Sequence, residues 1–300
     1  MATILEQCKV QTSPDTVTEA YFLDTIVPRL KQSLSLTLKH FLPLAGNIVH
    51  PIDSGRPMSR YALPPASISN DSVIFPVLSL QVTLFPEHGM CFGFTNHHAI
   101  GDASTIVRFV KAWASVTKFD GEAKLIDDKS LPFYERTGVE DSEGLDSLYW
   151  ELLKKSRPVE SPPLTFPLNK VRATFIITRD DIQKLKNIVL AKRPNMAHLT
   201  TFTVVCAHLW VCLVKSRAEE VGEDEPEYFG FAADCRARLS PSLPSNYFGN
   251  CLAFVKAEST HGGLKGNDGF LIAAILIGEA IRLVFDSWME LRIGHWNLGN

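Results

Sequence analysis

The spacing of apolar residues predicts helices and strands along the first half of the chain. Between Phe22 and Phe41, large apolar residues recur every four positions with polar residues between them, which is the pattern of an amphipathic helix. From Leu78 to Leu84, apolar and polar residues alternate, which predicts a half-buried strand. A turn signal at 86–89 precedes a compact apolar run from Met90 to Thr95. The two runs therefore predict a β-hairpin.

The predicted hairpin leads into another helix through a short loop that contains two histidines. Ile106 and Phe109 begin an apolar pattern with helical spacing, and the polar stretch Asp102–Ser104 supplies a helix start. His97 and His98 lie just before it. Both side chains are therefore expected on a strand-to-helix loop, a position from which a histidine can face a cleft.

The second half of the chain shows a similar mixture of strands and helices after a linker. A proline-rich stretch within 139–170 predicts the linker, which divides the chain into an N-terminal domain at 1–138 and a second domain at 171–300. Thr178 and Asp181 have the spacing of a capping box. The elements predicted after the linker are strand Val171–Thr178, helix Asp180–Leu190, helix Thr200–Lys215, buried strands Tyr228–Asp234 and Leu252–Val255, and helix Phe270–Leu283.

Composition and charge narrow the classes of function. A hydrophobic content of 45% in 300 residues is enough for one large domain or two ordinary ones. The formal charge of −3 comes from 30 basic and 33 acidic residues spread along the chain, so nucleic-acid binding is not expected. No window has the roughly 18 apolar residues of a membrane span. The six cysteines form no CxxC pair, which favours a reducing compartment, so we expect a cytosolic protein.

The loop sequence from His98 to Asp102 is the strongest candidate for chemistry. Histidine is well suited to take a proton from a hydroxyl because its unperturbed pKa lies near neutral pH, which makes His98 a candidate general base. A His and an Asp at this spacing also occur by chance, with the aspartate serving as a helix cap. A metal site is not expected, since adjacent histidines on an extended chain point to opposite faces. A covalent acyl-enzyme is not indicated, because the chain has no Gly-x-Ser-x-Gly elbow and no recognisable reactive cysteine context.

A second motif, far along the chain, changes this interpretation. The stretch Asp234-Cys235-Arg236-Ala237-Arg238-Leu239 is followed by Asn246-Tyr247-Phe248-Gly249-Asn250-Cys251. Together with 96–102, these stretches resemble the BAHD acyltransferase family of plants. The resemblance also includes Leu36–Asn47 and Val171–Phe175. The Tyr-Phe-Gly-Asn-Cys segment is similar to the branch that acylates sugars of anthocyanins, flavonoids and other phenolic glucosides, commonly with malonyl groups.

The resemblance implies a fold, a mechanism and a set of site residues. The fold would be α/β (α+β), with two halves built like chloramphenicol acetyltransferase, each with helices on a mixed sheet, and with an incomplete second domain. His98 would deprotonate a sugar hydroxyl that attacks acyl-CoA, with malonyl-CoA as the expected co-substrate and no tightly bound cofactor or metal. Asp102 would support the catalytic loop by pairing with Arg236, or alternatively with Arg238. The residues expected to line the substrate and CoA channel are Asn246, Tyr247, Phe248, Gly249 and Asn250. The alternative is a tight turn at Gly249 and a place in the core for Tyr247 and Phe248.

The expected partners are small molecules, namely acyl-CoA and a phenolic glucoside, with no nucleic acid and no membrane. The acyl donor, the acceptor, its hydroxyl position and the oligomeric state stay open, although members of the family are usually monomeric. Lys39, Arg108 and Arg172 are cations near motif segments that could pair with a malonyl carboxylate, but each is also typical of solvated surface, so none is assigned. The chain has no counterpart of the family's Asp-Phe-Gly-Trp-Gly motif and no additional strand at Val17–Asp24. An alternative hypothesis is therefore an inactive, truncated remnant that binds a ligand or a partner protein.

Overall fold

The computed structural model divides the chain into two compact units. One unit comprises Met1–Leu164 and Leu243–Cys251, and the other comprises Thr165–Ser242 and Leu252–Asn300. This division differs from the predicted one, which assigned all of 171–300 to the second domain, because the segment 243–251 makes its contacts with the first unit. The residues that the structure describes are 2–4, 8–10, 18–51, 67–68, 72–85, 88–119, 131–137, 144, 147–148, 151, 174–196, 199–217, 221–239 and 241–287.

The first unit contains the long amphipathic helix that the apolar spacing predicts. It consists of α1 (Glu19–Tyr21), a π-helical turn (Phe22–Ile26) and α2 (Val27–Leu38). The Thr18 hydroxyl accepts the N–H of Tyr21 at 3.2 Å and caps its start. On its buried side, the Ser33 hydroxyl lies 2.8 Å from that of Thr117 in α3 (Ala103–Lys118). The predicted helix is confirmed, and it packs against α3.

Antiparallel strands form the sheets of the first unit. These strands are β1 (Ala2–Ile4), β2 (Cys8–Val10), β3 (Asn47–Pro51), β4 (Ser67–Ile68), β5 (Ser72–Pro76), β6 (Leu78–Phe85) and β7 (Gly89–His97). β6 and β7 form the predicted hairpin, with Leu78 opposite Asn96, and β1 and β2 pair one after the other with the opposite edge of β7. β5 lies between β3 and β4 in a separate sheet. Because β7 has partners on both edges, its last residue, His97, is held in the sheet.

An aromatic core joins α3 to β7. The rings of Phe41 and Phe109 are fully buried and lie edge to face with centroids 5.5 Å apart. The Trp113 ring contacts Phe92 and Phe94 of β7 at centroid distances of 6.0 and 6.1 Å. The buried residues of the main cluster are Phe41, Leu44, Ile106, Phe109, Ala112 and Phe248. The helix predicted after Asp102 is thus confirmed, and its packing fixes its start near the end of β7.

The described part of the second unit packs helices on one face of a two-stranded sheet. Its elements are α4 (Arg179–Lys192), α5 (Thr201–Ser216), β8 (Pro226–Asp234), β9 (Leu252–Thr260), α6 (His261–Lys265) and α7 (Gly269–Ser287). Thr178 and Asp181 form the predicted capping box of α4. The core includes Val189, Ala207, Trp210, Val214, Val255, Leu264, Ala273 and Ile277. The predicted helices of this half are confirmed.

Within the described ranges, no helix combines the length and the apolarity that crossing a membrane requires.

The sequence-based prediction is wrong at one strand and overstates the burial of two others. Of the predicted strand at 171–178, the structure describes Thr174–Thr178, which has no strand structure. The side chains of Phe175 and Ile176 are 87% exposed, and none of the described strands pairs with this stretch. A lone extended segment lacks backbone partners and does not form a sheet. β8 and β9 alternate between covered and exposed residues because helices cover one face of the sheet. Most of the predicted linker 139–170 lies outside the described residues.

A charge cluster with two buried members, Glu227 and His261, connects β8 with the end of α5 and the start of α6. Arg217 donates hydrogen bonds of 3.0 and 2.9 Å to the two carboxylate oxygens of Glu227, and Nδ1 of His261 lies 2.8 Å from the same carboxylate. His261 is fully buried. Burial alone would raise the pKa of the Glu227 carboxyl, but the hydrogen bonds and charges of His261 and Arg217 outweigh it and lower that pKa. Ionised Glu227 therefore stabilises the second unit at neutral pH.

Replacing Glu227 by Gln should destabilise the protein by about 1–3 kcal/mol at neutral pH, since Arg217 and His261 lose their carboxylate partner. A carboxyl with a depressed pKa in the folded state contributes stability above its unfolded pKa and loses it as the pH falls through the folded pKa. The difference in Tm between wild type and Glu227→Gln should therefore narrow below the ordinary pKa of 4.5. Circular-dichroism melts from neutral pH to below the ordinary pKa measure this Tm difference, with Glu258→Gln, at an exposed position, as the control. A difference that does not change with pH would contradict the assignment.

Candidate functional site

The end of β7 turns directly into a short 3₁₀ segment that begins with His98. The turn spans His98–Ile100 and lies between the last residue of β7, His97, and the start of α3 at Ala103. The imidazole of His98 is half-buried and has no hydrogen-bond partner among the described residues. A neutral imidazole with a free ring nitrogen can accept a proton from a hydroxyl that binds beside it. The structure thus places His98 on a strand-to-helix loop, as predicted.

Asp102 caps α3 and is almost completely buried. The exposed fraction of this residue is 2%. Its Oδ1 accepts hydrogen bonds from the backbone N–H of Thr105 at 3.1 Å and from the Thr105 hydroxyl at 3.2 Å. An N-cap aspartate satisfies a helix N–H that has no partner within the helix, and its charge suits the positive end of the helix dipole. Asp102 therefore fixes where α3 begins, close behind His98.

The segment Leu243–Cys251, remote in sequence, packs against this cap. The N–H of Cys251 donates to Oδ2 of Asp102 at 3.1 Å, so both carboxylate oxygens accept hydrogen bonds. The Thr105 hydroxyl lies 3.0 Å from the carbonyl oxygen of Gly249 and accepts the Gly249 N–H at 3.2 Å. A buried carboxylate is costly unless donors satisfy it. Burial of Asp102 therefore depends on this remote segment.

Two glycines near His98 occupy positions where a side chain would be strained or crowded. Gly249 has φ of 140°, a region that residues with a Cβ rarely adopt. A Cβ at this position would also lie 2.7 Å from a guanidinium nitrogen of Arg136. At Gly101, a Cβ would lie 2.7 Å from Cγ2 of Thr105. Gly249 is thus required by its backbone conformation, since the Arg136 guanidinium can move aside, and Gly101 is required by space.

Aromatic side chains anchor the remote segment in the core of the first unit. Phe248 is buried, with its ring centroid 6.4 Å from that of Phe41 and 5.1 Å from that of Tyr134. Tyr247 is also buried, and the guanidinium carbon of Arg136 lies 4.8 Å from its ring centroid. These contacts give both aromatic residues a packing role.

Hydrogen bonds hold the beginning of the same segment. The side-chain amide of Asn246 donates to the carbonyl of Leu131 at 2.8 Å, and the N–H of Phe133 donates to the carbonyl of Asn246 at 2.8 Å. Arg108 of α3 donates to the carbonyl of Ser245 at 2.7 Å. Arg108, a candidate partner for a malonyl carboxylate, thus contacts the segment directly. The channel position predicted for Asn246 stays a prediction.

Asn250 contacts the loop of His98 itself. Its side-chain amide donates to the carbonyl oxygen of His98 at 2.9 Å, across 152 positions of sequence. Among the residues predicted to line a channel, Gly249 and Asn250 lie against the loop, whereas Tyr247 and Phe248 are buried in packing contacts. The structure therefore brings the two sequence motifs together through Gly249 and Asn250.

Arg236, the predicted partner of Asp102, has a described ion pair within the second unit. One of its guanidinium nitrogens lies 2.9 Å from Oδ2 of Asp234, and its backbone N–H donates to Oδ1 of Asp234 at 3.0 Å. The Arg236 side chain is buried. Arg238, the alternative partner, donates to the carbonyl of Asp234. The pairing of Asp102 with Arg236 or Arg238 stays a prediction.

Two other kinds of chemistry gain no support from the described residues. Burial raises the pKa of the Cys206 and Cys235 thiols, which lowers the fraction of reactive thiolate. No group of three or more His, Cys, Asp or Glu side chains in the described part of the chain is arranged to hold a metal ion.

Sequence reasoning missed two side chains that shape the loop, His97 and Thr105. Nδ1 of His97 accepts the N–H of Ala99 at 3.2 Å and so caps the 3₁₀ turn. Burial lowers the pKa of His97, and the neighbouring charge of His98 contributes, so neutral His97 is favoured. The spacing of a side-chain acceptor and an N–H two residues later could have indicated His97. Thr105 stands three residues after the capping Asp102, a position where a polar side chain reaches the cap.

Comparisons with known proteins show the family to which the chain belongs. Residues 56–289 match the Transferase family. Phenolic glucoside malonyltransferase 1 from Nicotiana tabacum is 40% identical to this chain over 371 residues, which cover 99% of this chain and 81% of the relative. The malonyl-coenzyme:anthocyanin 5-O-glucoside-6'''-O-malonyltransferase from Salvia splendens is 35% identical, over 88% of this chain and 64% of the relative.

The alignments cover only part of each relative's length. The alignment with the tobacco protein extends over 371 residues, whereas the chain has 300, so stretches inside the relative have no counterpart in this chain. The chain matches less than two thirds of the Salvia relative, at 64% of its length. The family match is therefore broad, but the chain is shorter than its relatives.

A solved structure supports the fold. TRI101 from F. sporotrichioides, determined with coenzyme A and T-2, matches with a TM-score of 0.58 at 16% identity, over 90% of this chain and 70% of that protein. At this identity, the likeness concerns the fold alone. The predicted α/β fold of the chloramphenicol acetyltransferase type is confirmed.

Replacing Gly249 by Ala should destabilise the protein by about 1–3 kcal/mol, because the new Cβ meets Arg136 and the backbone conformation is unfavourable for alanine. Arg136→Ala in the same chain should recover only part of the loss, since it removes the contact but not the backbone strain. Urea unfolding measures both, with Gly222→Ala as the control, where the nearest atom lies 3.6 Å from the built Cβ. A Gly249→Ala variant as stable as wild type would contradict this geometry.

Proposed function

Because the chain belongs to the Transferase family, among its BAHD acyltransferases, we propose that it is an acyl-CoA-dependent O-acyltransferase with His98 as the general base. The acceptor is a sugar hydroxyl of a phenolic, flavonoid or anthocyanin glucoside, and the acyl group is malonyl, in line with the names of the relatives. The observation that carries the proposal is the imidazole of His98, which has no described partner and lies on a loop fixed by Asp102 and Thr105.

The proposed reaction proceeds without an acyl-enzyme. Neutral His98 takes the proton of the sugar hydroxyl while the hydroxyl oxygen attacks the thioester carbonyl carbon of acyl-CoA. The tetrahedral oxyanion collapses, the carbon–sulfur bond breaks, and CoA leaves as the thiolate. The proton on His98 then passes to the thiolate, which restores neutral His98. Acyl-CoA serves as a co-substrate in this scheme and is released as CoA.

Asp102 acts in this scheme through position rather than by proton transfer. Both of its oxygens accept hydrogen bonds, from Thr105 and from the backbone of Cys251, which suits a capping role. Arg236 is its proposed ionic partner, with Arg238 as the alternative, because charge pairing reduces the cost of a buried carboxylate. Asn246 and Asn250 are proposed to lie near the substrate channel.

The binding of the malonyl carboxylate and the cellular location belong to the same proposal. Lys39 is exposed and Arg108 donates to Ser245, while Arg172 lies outside the described residues, so no cation is assigned to the carboxylate. The cysteines at 91, 206, 212, 235 and 251 are free thiols. Free thiols suit the reducing cytosol, where we place the reaction.

The second candidate is an inactive chain that binds a phenolic ligand or a partner protein. It rests on the alignment with the tobacco relative, in which internal stretches of the relative have no counterpart in this chain, whereas the names of the relatives favour the acyltransferase. The two candidates differ in one measurable quantity, which is turnover by the purified chain.

Purified chain should transfer malonyl from malonyl-CoA to a phenolic glucoside, and His98→Ala should lower kcat by about 100- to 10,000-fold, the range of a general base. Liquid chromatography with mass spectrometry detects the malonylated glucoside and free CoA. The exposed His88→Ala variant is the matched control and should keep the wild-type rate. Absence of product from folded wild-type chain would support the inactive candidate. Equal rates for wild type and His98→Ala would remove His98 from the chemical step.

A further inference from the structure

The peptide group between His98 and Ala99 is held by side chains at both of its polar atoms. Its carbonyl oxygen, which belongs to His98, accepts a hydrogen bond from the Asn250 amide at 2.9 Å. Its N–H, which belongs to Ala99, donates to Nδ1 of His97 at 3.2 Å. One holding group therefore precedes the candidate base in sequence, and the other comes 152 positions later.

Two hydrogen bonds on opposite sides of one peptide plane restrain its rotation. The plane between His98 and Ala99 can rotate about the line joining their Cα atoms, which changes ψ of His98 and φ of Ala99 together. Rotation in either direction lengthens both hydrogen bonds. Because the Cβ of His98 is attached to the same Cα, a restrained plane also restrains the Cα–Cβ bond from which the imidazole extends. The pair of contacts therefore limits the positions that the side chain reaches through its own rotamers.

We propose that His97 and Asn250 are positioning residues that clamp the His98–Ala99 peptide and so aim the imidazole of His98 at its substrate. This inference rests on the proposed function of His98 as the general base. It assigns His97 a role distinct from that of His98, although the two are adjacent. It also assigns to the Asn250 amide the role of holding the His98 carbonyl, separate from the position predicted for Asn250 in a substrate channel.

The protonation state of His97 suits this role. To accept the N–H of Ala99, Nδ1 must carry a lone pair, so the imidazole must be neutral with its proton on Nε2. Burial lowers the pKa of His97, which keeps it neutral near physiological pH. The second contact requires a donor at position 250. A carboxylate in place of the Asn250 amide would remove this hydrogen bond, because a carboxylate has no proton to donate to the His98 carbonyl.

The clamp differs from the network around Asp102. The hydrogen bonds of Asp102 and Thr105 hold the start of α3 and the backbone of the remote segment. The clamp acts on the peptide next to His98, in a 3₁₀ turn outside any sheet. Its loss should therefore change the chemical step more than the stability of the fold.

Conservative and disruptive variants separate positioning from folding. His97→Leu and Asn250→Asp should each lower kcat by about 10- to 100-fold, the effect of a small misplacement of a catalytic group, while KM for the glucoside changes much less. His97→Asn should keep most of kcat, because an asparagine oxygen can accept the N–H two residues later. His88→Asn and Asn187→Asp, both at exposed positions, are the matched controls. Circular-dichroism melts confirm that all variants are folded.

Two outcomes of the kcat measurements would overturn the clamp. Wild-type kcat in His97→Leu and Asn250→Asp would overturn it. An equal loss in His97→Asn and His97→Leu would also overturn it, since the acceptor would then not matter.

A measurement without turnover separates failure of the clamp from failure of the proposed function. In ¹³C-histidine-labelled protein, the Cε1–H resonance of His98 should be a single sharp line in wild type and His97→Asn. In His97→Leu and Asn250→Asp it should broaden or split, because the imidazole samples several orientations. If the wild-type chain forms no product, the proposed function fails. The Cε1–H resonance of His98 then tests by itself whether His97 and Asn250 hold the imidazole in one orientation. An identical His98 resonance in all variants would overturn it.

Discussion

The buried carboxylate of Asp102 is the group on which the arrangement around His98 depends. Burying a carboxylate this deeply is costly unless hydrogen-bond donors satisfy its oxygens. Thr105 supplies local donors at the start of α3, and the backbone of Cys251 supplies a remote one, 149 positions later. The N-cap of α3 therefore binds a distant part of the chain, the segment Leu243–Cys251. That part in turn brings Asn250 to the carbonyl of His98.

Each residue of the remote segment meets a different physical demand. Phe248 supplies apolar surface to the core of the first unit, and Gly249 supplies a backbone conformation and room beside Arg136. Asn250 supplies an amide donor, whereas Cys251 acts on Asp102 through its backbone N–H. The contact with Asp102 therefore does not require a thiol at position 251. This division explains why a short run of unlike residues forms one motif.

The elements that the sequence predicted correctly are those determined by near neighbours. The hairpin of β6 and β7, the cap of α3 by Asp102 and the capping box of α4 at Thr178 each depend on residues a few positions apart. The errors concern distant partners. Nothing local shows that the segment after Ser242 belongs with the first unit, or that Thr174–Thr178 lacks a neighbouring strand.

The central claim is that Asp102 holds the remote segment against the loop of His98, and amide hydrogen exchange in Asp102→Ala tests it most directly. The amides of Gly249 and Cys251 should exchange at least about 10-fold faster in the variant than in wild type, because their buried partners are lost or displaced. Amides of β8 and β9, which pair within the second unit, should keep their wild-type rates. Unchanged exchange at Gly249 and Cys251 would show that the segment is held without Asp102, and would contradict the account.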